Sequence, residues 1–265
     1  MTTTPDLVFP TSIGTSTPTS MSLLGHDMAT EMLGHVGFGE LCLWLATGTR
    51  PDEGQVRVFE AVMVGLADHG LTPIAIASRM TYYSAPDSIQ GALAAGLLGG
   101  GSRYLGVTED TGRFLRDALD AAPSAPVTAA DFDALALAAV TRARAAHALV
   151  PGLGHPVHKA GDPRTPVIIQ IAKDAGEYGP YLQAFEAIGR VHSQVLGRTL
   201  PLNGAGVCGA ALADIGVPVE LLRGAVLIAR CAGLLGHLRE EMIRPLAESI
   251  YMTVDRHAEY RGDDA

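Results

Sequence analysis

Cysteine is scarce in this chain: there are three in 265 residues, Cys42, Cys208 and Cys231. Scattered so widely, they form neither a disulfide framework nor a zinc-ligand cluster, and each reads as a thiol in or near the core of a reduced protein. Basic residues are outnumbered, 19 Lys and Arg against 28 Asp and Glu, for a net charge of −9. A surface of that sign argues against a nucleic-acid partner, whose phosphates need cations. The sequence shows no basic-then-apolar leader and no run of about twenty apolar residues to span a bilayer. No membrane partner is therefore expected, and the cytoplasm is the expected location. Strand-type alternation is weak and no internal repeat is visible. Neither a Walker nor a Rossmann glycine pattern occurs, since Gly99-Gly100-Gly101 fits neither spacing. The chain alone is thus expected to use neither ATP nor NAD and to need no metal.

What the sequence has in quantity is apolar residues at helical spacing. A hydrophobic fraction of 48% with 18% charged residues fits a well-buried globular protein. Val56, Val58, Phe59, Val62, Met63 and Leu66 recur at three and four, which predicts a helix over 51–67 stopped by Gly70. Similar patterns predict helices over 28–46, 72–83, 88–98, 111–121, 129–148, 165–175, 181–196, 207–215, 220–242 and 246–255. Pro73 suits the first turn of its helix. The expectation is an all-α fold preceded by a loose tail over about 1–10.

The densest cluster of chemistry runs from Leu149 to Arg164. It opens with Val150-Pro151-Gly152-Leu153-Gly154, whose glycines let backbone approach a ligand closely. His155 follows, a side chain able to move a proton near neutral pH. Nine residues on stands Arg164, able to grip a carboxylate with paired hydrogen bonds. Arg230 sits in the otherwise apolar run Val226–Ala232, where a charge is costly unless it is paired or faces a site. His69 ends the apolar run of its helix, close to the negative end of the dipole. Arg79, on a helix face, reads as solvated.

These residues resemble the citrate synthase superfamily. Pro151-Gly152-Leu153-Gly154-His155 matches its Pro-Gly-x-Gly-His loop, and Asp162-Pro163-Arg164 the Asp-Pro-Arg that follows. Ala67-Asp68-His69-Gly70 with the downstream Ala77-Ser78-Arg79 is a second match. Leu200–Gly209 falls in the place of the Asn-Val-Asp segment, and Ala229–Gly233 with Ile243-Arg244-Pro245 is a fourth. Within the superfamily the likeness is to the short branch of citryl-CoA lyases and the lyase domain of ATP-citrate lyase. Tyr104 stands where synthases carry a histidine, and the ending Gly236-His237-Leu238-Arg239-Glu240-Glu241 is lyase-like.

The resemblance implies a citrate synthase-like fold. A large helical domain would comprise 1–109 and 206–265, a small one 110–205, and the site would lie in the cleft between them. It implies a homodimer acting on acyl-CoA and di- or tricarboxylates, with a coenzyme A thioester as substrate and no permanently bound cofactor. His69 and His155 would be catalytic. Arg164, Arg230, Arg244 and Asn203 would bind substrate, with Arg244 reaching the neighbouring subunit, and Val150–Gly154 would lie against coenzyme A. His158 and Lys159 are open between phosphate contact and a solvated loop. One position departs from the family: the third residue of Asn-Val-Asp, the aspartate that handles the proton on the thioester's α-carbon, is Ala205. Three activities stay in view: a citryl-CoA lyase-like enzyme, a condensing synthase for another acyl-CoA, and a coenzyme A-binding homodimer without turnover. Tyr104 weighs against the second, and Ala205 favours the third.

Overall fold

The computed structural model describes residues 8–155 and 158–262. Most of the expected tail, residues 1–7, therefore lies outside the described residues. Eleven α-helices are seen among the described residues: α1 (Phe38–Thr47), α2 (Glu53–Leu66), α3 (Pro73–Ser84), α4 (Ile89–Leu98), α5 (Val107–Asp120), α6 (Ala129–Ala145), α7 (Arg164–Ala175), α8 (Pro180–Leu196), α9 (Gly204–Asp214), α10 (Leu222–Ile243) and α11 (Ala247–Arg256). The all-α expectation holds, and the helix boundaries follow local chemistry. Asp52 and Gln55 close a capping box on α2, and Thr128 and Asp131 do the same for α6. Pro73 takes the first turn of α3. Past the end of α2, Gly70 turns left-handed at φ +70°.

Two expectations need correction. The helix read over 28–46 is broken: a five-residue π-turn, Met28–Met32, capped by the Asp27 carboxylate, is followed by an irregular segment before α1 begins. Before it lies an antiparallel three-stranded meander, β1 (Gly14–Ser16), β2 (Met21–Leu23) and β3 (His26–Asp27), in the order β1-β2-β3. Its strands are short and rich in Ser and Thr, so they carry no apolar alternation to read.

One hydrophobic core joins the helices. α6 packs on α8, α5 on α9, α2 on α7 and α3 on α4, with α10 crossing α2, α3 and α4. Phe59, Leu115, Phe185, Ile188 and Leu212 are fully buried in it. Helix α9 packs through small residues, and Gly204 and Gly206–Leu212 are all buried. A Cβ on Gly209 would meet the Thr108 carbonyl oxygen at 2.2 Å, so only glycine allows α5 this close. No described helix is long and apolar enough to cross a membrane.

Asp214 at the end of α9 ties that helix to α8. Its carboxylate accepts the N–H groups of Gly179 (3.1 Å), Tyr181 (2.9 Å) and Leu182 (2.8 Å), satisfying donors that α8 leaves open at its start. Burial pushes its pKa up to about 7, against the pull of those three donors. Asp214→Ala removes all three acceptor contacts at once and is expected to cost about 2–3 kcal/mol. The check is urea unfolding followed by circular dichroism, with an unchanged midpoint as the contrary result.

Candidate active site

The segment ending in His155 is laced to the segment that starts α9. Gly154 N–H donates to the Pro201 carbonyl (2.7 Å), and Asn203 N–H to the Gly152 carbonyl (2.9 Å). The Asn203 side-chain amide donates to the Gly154 carbonyl (2.8 Å), while its oxygen caps α9 by accepting from Gly206 N–H (2.8 Å). Asn203 is thus buried and engaged with backbone on both sides rather than turned toward a ligand. Gly152 and Gly154 both hold positive φ, +84° and +81°, which this doubling-back requires. A Cβ on Gly206 would meet the Gly152 Cα at 2.6 Å. Leu153 N–H also bonds within the loop, to the Val150 carbonyl (3.3 Å). A ligand lying on Val150–Gly154 therefore meets carbon and exposed edges rather than the N–H groups of 153 and 154.

The lacing has a chemical result. His155 stands with its ring centroid 5.6 Å from that of His69 and 4.5 Å from that of His158. His158, left open by sequence, belongs to the same cluster. Nitrogens of all three rings lie within 4.8 Å of one another, the spacing of a tridentate metal site. The hydrogen bonds oppose that use. His155 Nδ1 accepts the His158 backbone N–H at 2.9 Å, so the ring carries its proton on Nε2 and has no lone pair there for a metal. Burial, and then the neighbouring His158, lower the His155 pKa below the ordinary histidine value. The neutral Nε2–H form is what this environment favours.

Asp162, which entered the sequence reading only as part of the Asp-Pro-Arg match and without a role, organises the cationic side. Its side chain is fully buried. Its carboxylate accepts from Arg164 Nε (3.0 Å), Arg164 Nη2 (2.8 Å), Arg164 N–H (3.1 Å) and Gly204 N–H (2.7 Å). One anion thus faces the starts of both α7 and α9, where helix dipoles welcome it. Burial pushes its pKa up, but the Arg164 guanidinium and the two N–H groups outweigh that and hold it well below the usual carboxylate range. The signal in the sequence was an aspartate two residues ahead of a helix start. Arg164 also donates from Nη1 to the Gly65 carbonyl (3.1 Å). With three of five N–H groups engaged, one on each Nη remains for a second carboxylate. A groove of about 1150 Å³ runs between α2 and α7 past Val56, Val64, Val167 and Ile171 to Arg164, and none of the three histidines lines it.

Arg230 is buried, with Nη1 3.7 Å from Asp68 Oδ1. Its Nε–H has no hydrogen-bond partner among the described residues. Burial lowers its pKa, and a buried cation with a vacant donor is poised for an anion. Gly233, one turn on, lets α10 touch the end of α2: a Cβ there would sit 1.9 Å from the Ala67 carbonyl oxygen. Asp68 follows Ala67, and His69, exposed, comes next. Ala205 occupies the first turn of α9 and is half-buried. Tyr104 is half-exposed on the turn before α5. Arg244 is exposed and lines a cleft of about 390 Å³ with Asp68, His237 and Arg239 of its own chain.

Arg79 is a clear correction. Far from being solvated, it is 1% exposed. Its guanidinium pairs with Glu241 (2.9 Å) and Glu240 and donates to His237 Nδ1. Its partners lie about 160 residues away in sequence, beyond the reach of local patterns.

The family model for the citrate synthase C-terminal domain matches residues 17–249. The chain belongs to the citrate synthase family. Citryl-CoA lyase from Hydrogenobacter thermophilus superposes with a TM-score of 0.84 at 27% identity, covering 97% of this chain and 96% of that one. ATP citrate lyase from Methanothrix soehngenii, in complex with citrate and coenzyme A, gives 0.74 at 20% identity, covering 97% of this chain and 42% of the other. An aspartate-to-alanine variant of the Methanosaeta concilii ATP citrate lyase, in complex with (3S)-citryl-CoA, gives 0.71 at 20% identity with the same coverage. A search of curated proteins returned no match. The family carries coenzyme A-dependent carbon–carbon chemistry, and this chain's fold is that of its citryl-CoA lyase-like branch.

Proposed function

We propose that this citrate synthase family member cleaves, reversibly, the carbon–carbon bond of citryl-CoA or a related hydroxy-carboxyacyl-CoA, giving acetyl-CoA or another acyl-CoA and an oxo-acid such as oxaloacetate. The observation that carries the reading is the convergence of His69 and the Nε2–H of His155 beside Arg164. Arg230, with a vacant buried N–H, adds a second cation in the same electrostatic neighbourhood. The citrate and coenzyme A seen in the Methanothrix enzyme support the ligand class.

In cleavage the substrate hydroxyl loses its proton, the C–C electron pair leaves as a thioester enolate, and a ketone remains on the oxo-acid. His155, as an Nε2–H donor, stabilises the oxygen as it becomes alkoxide and then carbonyl. A nitrogen already bearing a proton cannot accept another, so the base for the hydroxyl is His69. Arg164 and Arg230 hold the carboxylates. The proton that His69 accepted is then returned to the enolate carbon, a transfer for which residue 205 offers no side chain. The division into 1–109 with 206–265, and 110–205, belongs to the same proposal: closure of the smaller part excludes water from the enolate. So does the homodimer. Ile228, Leu235 and Met242 form an exposed stripe at seven-residue spacing along α10, as a second copy would require.

Incubation with citryl-CoA, with acetyl-CoA and oxaloacetate quantified, tests the activity. Calorimetry with coenzyme A and acetyl-CoA, with and without oxaloacetate, tests the site. The expected result is binding of the CoA ester, strengthened by oxaloacetate, and no detectable binding at millimolar ligand would overturn the reading. The absence of a carboxylate at Ala205 favours one other outcome, binding without turnover.

A further inference from the structure

His237 lies on α10 with its side chain 11% exposed, between Arg79 and Asp68. A guanidinium can only donate, so His237 Nδ1, 3.1 Å from Arg79 Nη2 and 3.3 Å from Nε, must accept. The ring proton is then on Nε2, which donates to Asp68 Oδ1 at 2.9 Å. Both ring nitrogens are engaged, so His237 offers substrate neither an acid nor a base. Asp68 passes the constraint on. Oδ1 faces Arg230 Nη1 at 3.7 Å, and Oδ2 accepts the Gly70 N–H at 2.8 Å, closing a loop around His69. Asp68 is half-exposed, and burial raises its pKa, yet the bonds from Gly70, His237 and the His69 backbone bring it below the ordinary carboxylate value. Behind Arg79 stand Glu240 and the buried Glu241, whose other oxygen accepts the N–H groups of Leu246 (2.9 Å) and Ala247 (2.8 Å) at the start of α11. The chain of contacts runs from a rigid helix junction to the catalytic edge.

We propose that His237 is a positioning residue of this site: by holding Asp68 between itself and Arg230, it sets the backbone of His69 and keeps the Arg230 guanidinium open toward a substrate carboxylate. The proposal rests on the lyase-like reading of the site. Without His237, Asp68 is free to swing onto Arg230 and occupy the cation meant for substrate. The loss then falls mainly on carboxylate affinity, with a smaller loss in turnover from His69.

The test compares His237→Ala, His237→Gln, Asp68→Ala and the double Ala variant in the full-length protein. His237→Ala is expected to raise the Kd and KM for oxaloacetate by about tenfold, more than it lowers kcat. His237→Gln is expected to restore both, because its amide oxygen accepts from Arg79 and its amide N–H donates to Asp68. The double variant should be no worse than Asp68→Ala alone, since the two act as one unit. A second readout does not depend on activity: the ¹H–¹⁵N ring signals of His69 should move alike in His237→Ala and Asp68→Ala and return in His237→Gln. Should His237→Ala not fold, Asp68→Ala with the Arg79 cluster intact tests the hold on His69 through the ring signals, and His237→Gln tests the affinity. A wild type that binds no oxaloacetate removes the lyase-like reading, and the His69 signals then decide the positioning role by themselves. Unmoved His69 signals, or a Gln variant as impaired as Ala, overturn the proposal.

Discussion

An Ala205→Asp variant is expected to cleave citryl-CoA about a hundredfold faster than the wild type, or more. That is the usual worth of a positioned general acid or base, and residue 205 is where the family resemblance puts one. The local structure receives the carboxylate well. Position 205 lies in the first turn of α9, where the helix dipole favours an anion. On one side, a Cβ at Gly204 would touch the Arg164 guanidinium at 2.4 Å, so a cation stands close by. The new group can ionise without full desolvation, because residue 205 is only half-buried. Single-turnover cleavage, with loss of citryl-CoA followed by chromatography, reads the result. A folded but inactive variant would mean that the site is built for binding or for other chemistry. Fast wild-type cleavage would mean that another group already delivers the proton.

Removing the imidazole in His155→Ala is expected to lower turnover at least about a hundredfold while leaving the fold intact. The Nε2–H is held ready by the His158 N–H on the opposite edge of the ring, so the donor needs little reorganisation when charge develops on the substrate oxygen. His155→Gln, which keeps an N–H at similar reach, should recover part of the loss. Because burial and the adjacent His158 depress the His155 pKa, the neutral donor persists to lower pH than for a free histidine. Activity carried by it should fall only as pH drops through that depressed value. A pH–rate profile of kcat/KM checks this, and a profile unchanged in His155→Ala would remove the residue from the mechanism.

The helices were legible from apolar spacing and from local punctuation. Pro73 and Gly70 each act within one turn and were read from sequence, while the Asp52 and Thr128 caps, equally local, emerged only with the structure. The meander over 14–27 was not legible: its strands are two or three residues long and none of their residues is fully buried, and so they leave no pattern. In the candidate site, His69, His155, Arg164 and Arg230 were named from residue type and motif order. Their restraints were not, because they come from afar or from an unremarked neighbour. Arg79 meets Glu240 and Glu241 across the length of the chain, and Asp162 acts through Gly204 of another helix. Asn203 was placed in the right loop, but its burial by two backbone segments is a tertiary fact.

In the first two turns of α9, every residue except Ala205 is sealed against a neighbour. Gly204 and Gly206 admit no side chain at all without collision. Mutation along this stretch is therefore censored everywhere but at one address. A carboxylate at 205 can be gained or lost in a single substitution while the surrounding scaffold registers almost nothing. On the proposed reading of the site, residue 205 is therefore the place where chemistry can change without a change in architecture.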